Sequence, residues 1–290
     1  MKKVFSLLLL FLFCSGIGKA WHIAKDGFHI RRIGIWKEGF CSSLDDEAKA
    51  ALAQPFRYLG RGHQCYAFAS ADGAYVIKIP RFDRYRIPFW LRTLPLSKFK
   101  KRREEDLAFR ERFLLNSFQL SFDELRDQTA LLAMHLAETA DDGRVLTILD
   151  RFGQRYLLPL HKTAFVLQRK KDILMRTFQD ALDAKQTQRA TQMLTSFIDV
   201  IAERANKGIL NKDPSFLRNF GYDGTRSFQI DIGSFYRKEG LDVSQAAEKS
   251  IRETLAPVRD WLEKRSPEML VVFDQKLIEI QTVSRCEHGS

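Results

Sequence analysis

The sequence predicts an α+β protein in two parts, a β-rich first half and a mostly helical second half. Three observations carry this. Short apolar or alternating runs separated by glycine turns occupy Phe56–Leu59, Cys65–Ala69 and Ala74–Ile79, and similar runs return at Val145–Leu149, Arg155–Leu160 and Ala164–Gln168. Long charged-amphipathic stretches dominate from Asp172 onward. The composition is that of a globular chain: 290 residues, 45% hydrophobic and 29% charged, with 23 Phe against eight Pro and 16 Gly. It excludes collagen-like, low-complexity and largely disordered readings. The net charge of +11 favours anionic partners such as phosphates, nucleic acid or a membrane surface, without choosing among them.

At the start, Lys2 and Lys3 precede the apolar run Val4–Cys14, and Gly18-Lys19-Ala20 follows. A basic region, a short apolar core and a small-x-small site read as a secretory signal peptide over residues 1–20. The run is short for a membrane span, so an anchor is the lesser reading. The expected destination is the periplasm or the exterior. Cleavage after Ala20 would remove three lysines and no acids, lowering the net charge from +11 to +8. It would leave Cys41, Cys65 and Cys286, an odd number without metal-ligand spacing. One disulfide among them or three free thiols are both open.

Residues 21–54 read as an irregular or β-rich lead-in followed by a short helix, with a Ser cap at Ser42-Ser43 and acids Asp45, Asp46 and Glu47 in the first turn. Three antiparallel strands follow, with Asp72-Gly73 as a hairpin turn. Pro80–Pro95 is an aromatic, basic loop. Leu96 to about Ala137 reads as helix, broken near Asn116–Ser121. Asp172–Asn206 is helical with an interruption near Lys185–Thr187, and Val243 to about Val283 is helical with a break at Ser266-Pro267. The boundary between halves falls near Gln168–Asp172, giving an expected β-rich part over 55–170 and a helical part over 171–290.

Four short pieces carry the chemistry. Gly60-Arg61-Gly62-His63 is a glycine turn whose backbone N–H groups could approach phosphate oxygens. Lys78 stands in the apolar strand Tyr75-Val76-Ile77-Lys78-Ile79; on a buried face its ammonium needs an anionic partner, on an edge strand only water. Asp213 and Asn219 lie in a loop bounded by apolar anchors. Asp231 ends the apolar run Phe228-Gln229-Ile230 and is followed by Ile232-Gly233, a setting for a carboxylate aimed at Mg²⁺.

In this order the motifs resemble the protein-kinase-like superfamily. The resemblance implies a two-lobed fold with a β-rich N-lobe and a small helical C-lobe, and ATP and Mg²⁺ as cofactors. It implies Gly60 and Gly62 as the phosphate loop, Lys78 as the phosphate-pairing lysine and Asp213 as the catalytic-loop aspartate. Asn219 and Asp231 become the metal ligands, and Glu124 the glutamate that pairs Lys78. The departures are Cys65 for the third glycine, Asn211-Lys212-Asp213 for His-Arg-Asp, and six residues rather than five from Asp213 to Asn219. Asp231-Ile232-Gly233 also lacks Phe, and no Ala-Pro-Glu follows. They point to an atypical, minimal kinase with an unknown protein or small-molecule acceptor, or to a pseudokinase serving as a binding module. Lys98–Arg103 could touch an anionic surface, against the simpler reading of a solvated helix start; the sequence gives no strong reason to expect nucleic acid.

Overall fold

In the computed structural model, residues 16, 19–88, 91, 97–240 and 242–287 are described. Most of the expected signal segment, residues 1–15, 17 and 18, and the Phe89-Trp90 and Arg92–Leu96 portions of the aromatic loop, lie outside them. The protein is of the mixed α+β class, as its sequence predicts, and falls into two compact units. One runs to Arg110 and adds Leu132–Arg169; the other comprises Glu111–Leu131 and the chain from Lys170 onward.

The β-rich unit opens with helical residues 19–24 and a short 3-10 turn at Ile30–Arg32 rather than with strands. Its purpose is packing. Phe28 sits edge-on to Tyr66 and Phe68, with ring centroids 5.1 and 5.7 Å away, and plugs the inner face of the sheet. Helix α1 (Asp46–Leu52) buries Ala48, Ala51 and Leu52 on the same face. Its cap is Asp45, not a serine: the carboxylate accepts from the Ala48 N–H at 2.8 Å, while Ser42 is held by Met134.

Strands β1 (Phe56–Arg61), β2 (Cys65–Ser70) and β3 (Tyr75–Pro80) form the predicted antiparallel meander. Helix α2 (Ser97–Glu124) is continuous, without the expected break at 116–121. Ser117 and Ser121, within the expected break, are buried in the helix and hydrogen-bonded. Strand β4 (Leu131–His135) replaces helix at the end of that stretch; its run of apolar residues is buried on both faces, so periodicity did not mark it. Strands β5 (Val145–Leu149), β6 (Arg155–Pro159) and β7 (Phe165–Arg169) complete a seven-stranded sheet of order β4-β7-β3-β2-β1-β5-β6, in which β1 and β5 are parallel.

The helix-rich unit begins with β8 (Asp172–Ile173) and α3 (Leu174–Asp183). Lys185, at φ 53°, marks the predicted interruption before α4 (Thr187–Asn206). Short strands β9 (Leu210–Asn211), β10 (Phe220–Tyr222), β11 (Ser227–Gln229) and β12 (Phe235–Tyr236) follow, then α5 (Val243–Arg265) and α6 (Pro267–Glu287), divided at Ser266-Pro267 as expected. α3–α6 share one core with Phe197, Phe220, Leu255, Val258 and Phe273.

Arg204 of α4 is wholly enclosed in this unit. One nitrogen donates to Ser250 and Thr254 at 3.1 and 3.5 Å and the guanidinium faces the Phe235 ring, but Nε and Nη1 have no hydrogen bond among the described residues. Burial pulls its pKa down to about 10, so it stays charged at neutral pH. A buried charge without a carboxylate costs more than its hydrogen bonds return. Arg204→Met is therefore expected to leave stability unchanged or to raise it by up to about 4 kcal/mol. Chemical denaturation measures this, and a clear loss would show that the guanidinium has a stabilising partner.

Candidate functional site

Within the β-rich unit, the glycine turn joins β1 to β2. The Gly62 N–H donates to the Cys65 carbonyl at 2.8 Å, and the buried Arg81 side chain donates to the Gly62 carbonyl at 3.2 Å. Gly60 follows a register shift at Tyr58/Gly60, yet its φ is not positive, and a Cβ placed there would meet nothing within 4 Å. Neither backbone strain nor packing demands glycine at this position. Burial, with the guanidinium groups of Arg84, Arg81 and Arg110, holds the His63 imidazole below its ordinary pKa, so it is neutral at pH 7.

Lys78 lies in β3, between β2 and β7 and thus inside the sheet, which removes the edge-strand reading. It alternates with the fully buried Ile77 and Ile79, as the strand period requires, and its cross-strand neighbours are Ala67 and Val166.

The helix-rich unit gathers Asp213, Asn219 and Asp231. Asn211 and Asp213 exchange two bonds: the Asp213 N–H donates to Asn211 Oδ1 at 3.0 Å, and Asn211 Nδ2 donates to the Asp213 carbonyl at 3.1 Å. Asn219 Nδ2 donates to that same carbonyl at 2.9 Å. The Asn219 carbonyl in turn accepts the N–H groups of Ile230 at 2.9 Å and Asp231 at 3.4 Å. Between Asp213 and Asn219 the chain turns so that the Asn219 N–H reaches the Ser215 carbonyl at 3.1 Å. The aspartate carboxylate of Asp213 is exposed, Asn219 is buried and Asp231 is half-buried.

Neighbouring groups fix this cluster. The Lys212 N–H donates to the Ser234 carbonyl at 2.9 Å, and Asn211 pairs with Phe235 across β9 and β12. Ser117 Oγ accepts from the Phe235 N–H at 2.7 Å and donates to the Ile232 carbonyl at 2.6 Å. Gly221 is required by contact: a Cβ there would lie 2.5 Å from Lys171 Cβ. Glu124 is fixed within the helix-rich unit. Both its oxygens bind the Arg237 guanidinium, at 2.5 and 2.6 Å, which holds its carboxyl below the usual range.

Reading the sequence alone missed Asn211, Ser117, Arg81 and Arg237. A polar residue closing an apolar strand was the one available signal for Asn211; the others are joined to their partners only by the fold. A cavity of about 600 Å³ in the β-rich unit, lined by Cys41, His135, Arg144, His161 and Phe165 among others, includes none of the expected site residues. Cys41 and Cys65 are free thiols, so they do not form the disulfide left open above.

No protein family matches the chain, and no curated protein matches it. Solved structures of WbdD are similar to it. The 2.2 Å crystal structure aligns at TM-score 0.37 and 17% identity, covering 76% of this chain and 45% of that one. A co-crystal of WbdD with the kinase inhibitor LY294002 gives TM-score 0.37 and 17% identity over 75% and 44% of the two chains. A medium-resolution structure of WbdD, a bifunctional kinase-methyltransferase, gives 0.36 and 16% over 74% and 42%. This chain spans less than half the length of those chains, and a likeness at this level assigns no role to any residue.

Oxygen donors dominate the Asp213, Asn219 and Asp231 cluster. Because Asn219 Nδ2 is committed to the Asp213 carbonyl, the amide offers Oδ1 as its remaining ligand atom. No group of three or more His, Cys, Asp or Glu side chains assembles among the described residues. A carboxylate and an amide oxygen are hard donors of the kind a divalent cation such as Mg²⁺ takes.

The turn that carries Asn219 and Asp231 is pinned by Asp223. Burial alone would raise its pKa. The Arg226 N–H, the Lys171 ammonium at 2.9 Å and both the hydroxyl and N–H of Thr225 outweigh it and hold the carboxyl far below its usual value. The stabilisation is complete above the ordinary aspartate range, near pH 4, and fades as pH falls below it. Asp223→Asn should cost about 2 kcal/mol at pH 7. That deficit should shrink when unfolding is followed at successively lower pH down to about 2.5.

Proposed function

We propose that the protein is an atypical kinase-like phosphotransferase that binds Mg²⁺-ATP and passes the γ-phosphoryl group to a protein or small-molecule acceptor. The observation that carries the reading is the Asn219 junction, whose side-chain amide holds the Asp213 carbonyl and whose own carbonyl takes the Asp231 N–H. Placement of Lys78 inside a sheet, and a glycine at 60 that packing does not explain, support it.

On this reading the glycine turn at Gly60–Gly62 lies against the phosphate oxygens, its shape held by the Gly62 N–H bond to the Cys65 carbonyl, and Lys78 neutralises their charge. Asp231 and Asn219 hold Mg²⁺, which supplies charge neutralisation on the phosphates when bound. Asp213 accepts the acceptor hydroxyl's proton as its oxygen bonds to phosphorus and ADP leaves. Its exposure suits a group that must meet an external acceptor. The apolar run Val4–Cys14 supports export, with ATP met in the compartment of delivery.

Thermal unfolding with and without Mg²⁺-ATP tests the binding step. Ligand at a hundred times its dissociation constant adds about 2.7 kcal/mol, which should appear as a rise of several degrees. The rise should be lost in Asp231→Ala. Gly60→Ala should unfold no earlier than the unsubstituted protein without nucleotide but show a smaller rise. Absence of any shift at millimolar nucleotide would sink the proposal.

Transfer is tested separately by single-turnover ADP release. Asp213→Asn should slow it by about 10²–10⁴-fold while keeping the nucleotide-induced rise. Binding without turnover would instead identify a pseudokinase.

A further inference from the structure

We propose that the outer face of the β5–β6 hairpin, with the N-terminal turn stacked against its tip, is a docking surface for an anionic lipid bilayer. This stands apart from the kinase reading and uses none of its residues.

The sheet register defines the face. Phe56 pairs with Ile148 and Ile148 with Tyr156, and this row points into the core. The alternate residues therefore point outward: Arg57, Val145, Thr147, Leu149, Arg155 and Leu157. Leu157 is 63% exposed and Val145 48%. Leu59, at the register shift in neighbouring β1, is 53% exposed. At the tip, Phe152 and Trp21 stack with ring centroids 5.3 Å apart and planes 2° from parallel, and both remain more than half exposed.

Paired aromatic rings beside exposed leucines are costly in water, and they belong to the composition of an interfacial surface.

Charge selects the occupant. Arg57, Arg151 and Arg155 are exposed and form no ion pair among the described residues. The carboxylates nearby are consumed inside the unit. Asp150 is buried, bound to Lys25 at 3.1 Å, to the Tyr156 hydroxyl and to the N–H groups of Phe152 and Gln154. Asp26 accepts from the Tyr58 hydroxyl and lies 4.0 Å from Arg61. What faces outward is apolar with a basic rim, the complement of a bilayer with anionic headgroups.

Co-sedimentation of the full chain with vesicles of phosphatidylcholine, with and without about one-third phosphatidylglycerol, tests this. Binding should favour the anionic vesicles and weaken with salt. Arg57→Gln/Arg151→Gln/Arg155→Gln should lower partitioning about a hundredfold, at roughly fivefold per arginine. Leu59→Ser/Phe152→Ser/Leu157→Ser should lower it at least tenfold, with unfolding curves confirming that both variants fold.

Two control variants exclude other contacts. Leu8→Asp/Leu10→Asp alters the N-terminal run, and Lys98→Glu/Lys101→Glu/Arg102→Glu the helix start. If either abolishes binding while both hairpin variants bind normally, the assignment is overturned. Failure of the full chain to bind anionic vesicles, or equal binding to neutral ones, overturns it as well.

Discussion

Asn219 does two jobs with one residue. Its side chain reaches back to the Asp213 carbonyl, and its own carbonyl reaches forward to the N–H groups of Ile230 and Asp231. Since the residue is buried, neither bond can be exchanged for water without leaving a polar group unsatisfied. Three separate stretches of the helix-rich unit are thereby held to one point: the loop after β9, the strand β10 and the segment after β11. The aspartates at 213 and 231 inherit their positions from that junction. The surrounding supports, Asn211, Ser117 and Gly221, all serve to keep the junction from shifting.

Much of this was legible in the sequence, and the reason is local. The meander from Phe56 to Pro80 is written in alternation and in the Asp72-Gly73 turn; the divisions of the helices at Lys185 and Ser266-Pro267 are written in breakers. The failures are equally physical. Ser117 and Ser121 look like helix-weakening residues, but in the interior of α2 each donates to a carbonyl, so the helix runs on. Leu131–His135 shows no alternation because its apolar residues are buried on both faces, and an apolar run of four carries no period of its own. Ser42 and Ser43 are good caps by type; Asp45 was closer to the first free N–H groups. The Glu124–Arg237 pair was not legible either, because the two residues lie 113 positions apart and nothing local announces it.

Electrostatics divides the described residues into two kinds of charge. Glu124 with Arg237 and Asp223 with Lys171 are matched pairs with several hydrogen bonds each, and their carboxyls are held ionised. Arg204 is the opposite: a cation enclosed by hydroxyls and an aromatic face, with two nitrogen groups unsatisfied. The first kind holds loops in place. The second is a cost to stability in a core whose other large side chains are almost all apolar.

The strand order has a consequence during synthesis. β3 receives its outer neighbour from β7, and Phe165 is encoded 85 residues after Pro80. At elongation rates of about 5–20 residues per second, that interval is roughly 4 to 17 seconds. Through it the emerging three-strand meander carries an open, apolar edge at Tyr75–Pro80, while β1 likewise awaits its parallel partner β5. A nascent chain in this condition is a client for edge-shielding factors at the ribosome exit, and slowing translation between codons 81 and 165 would lengthen its exposure to mispairing.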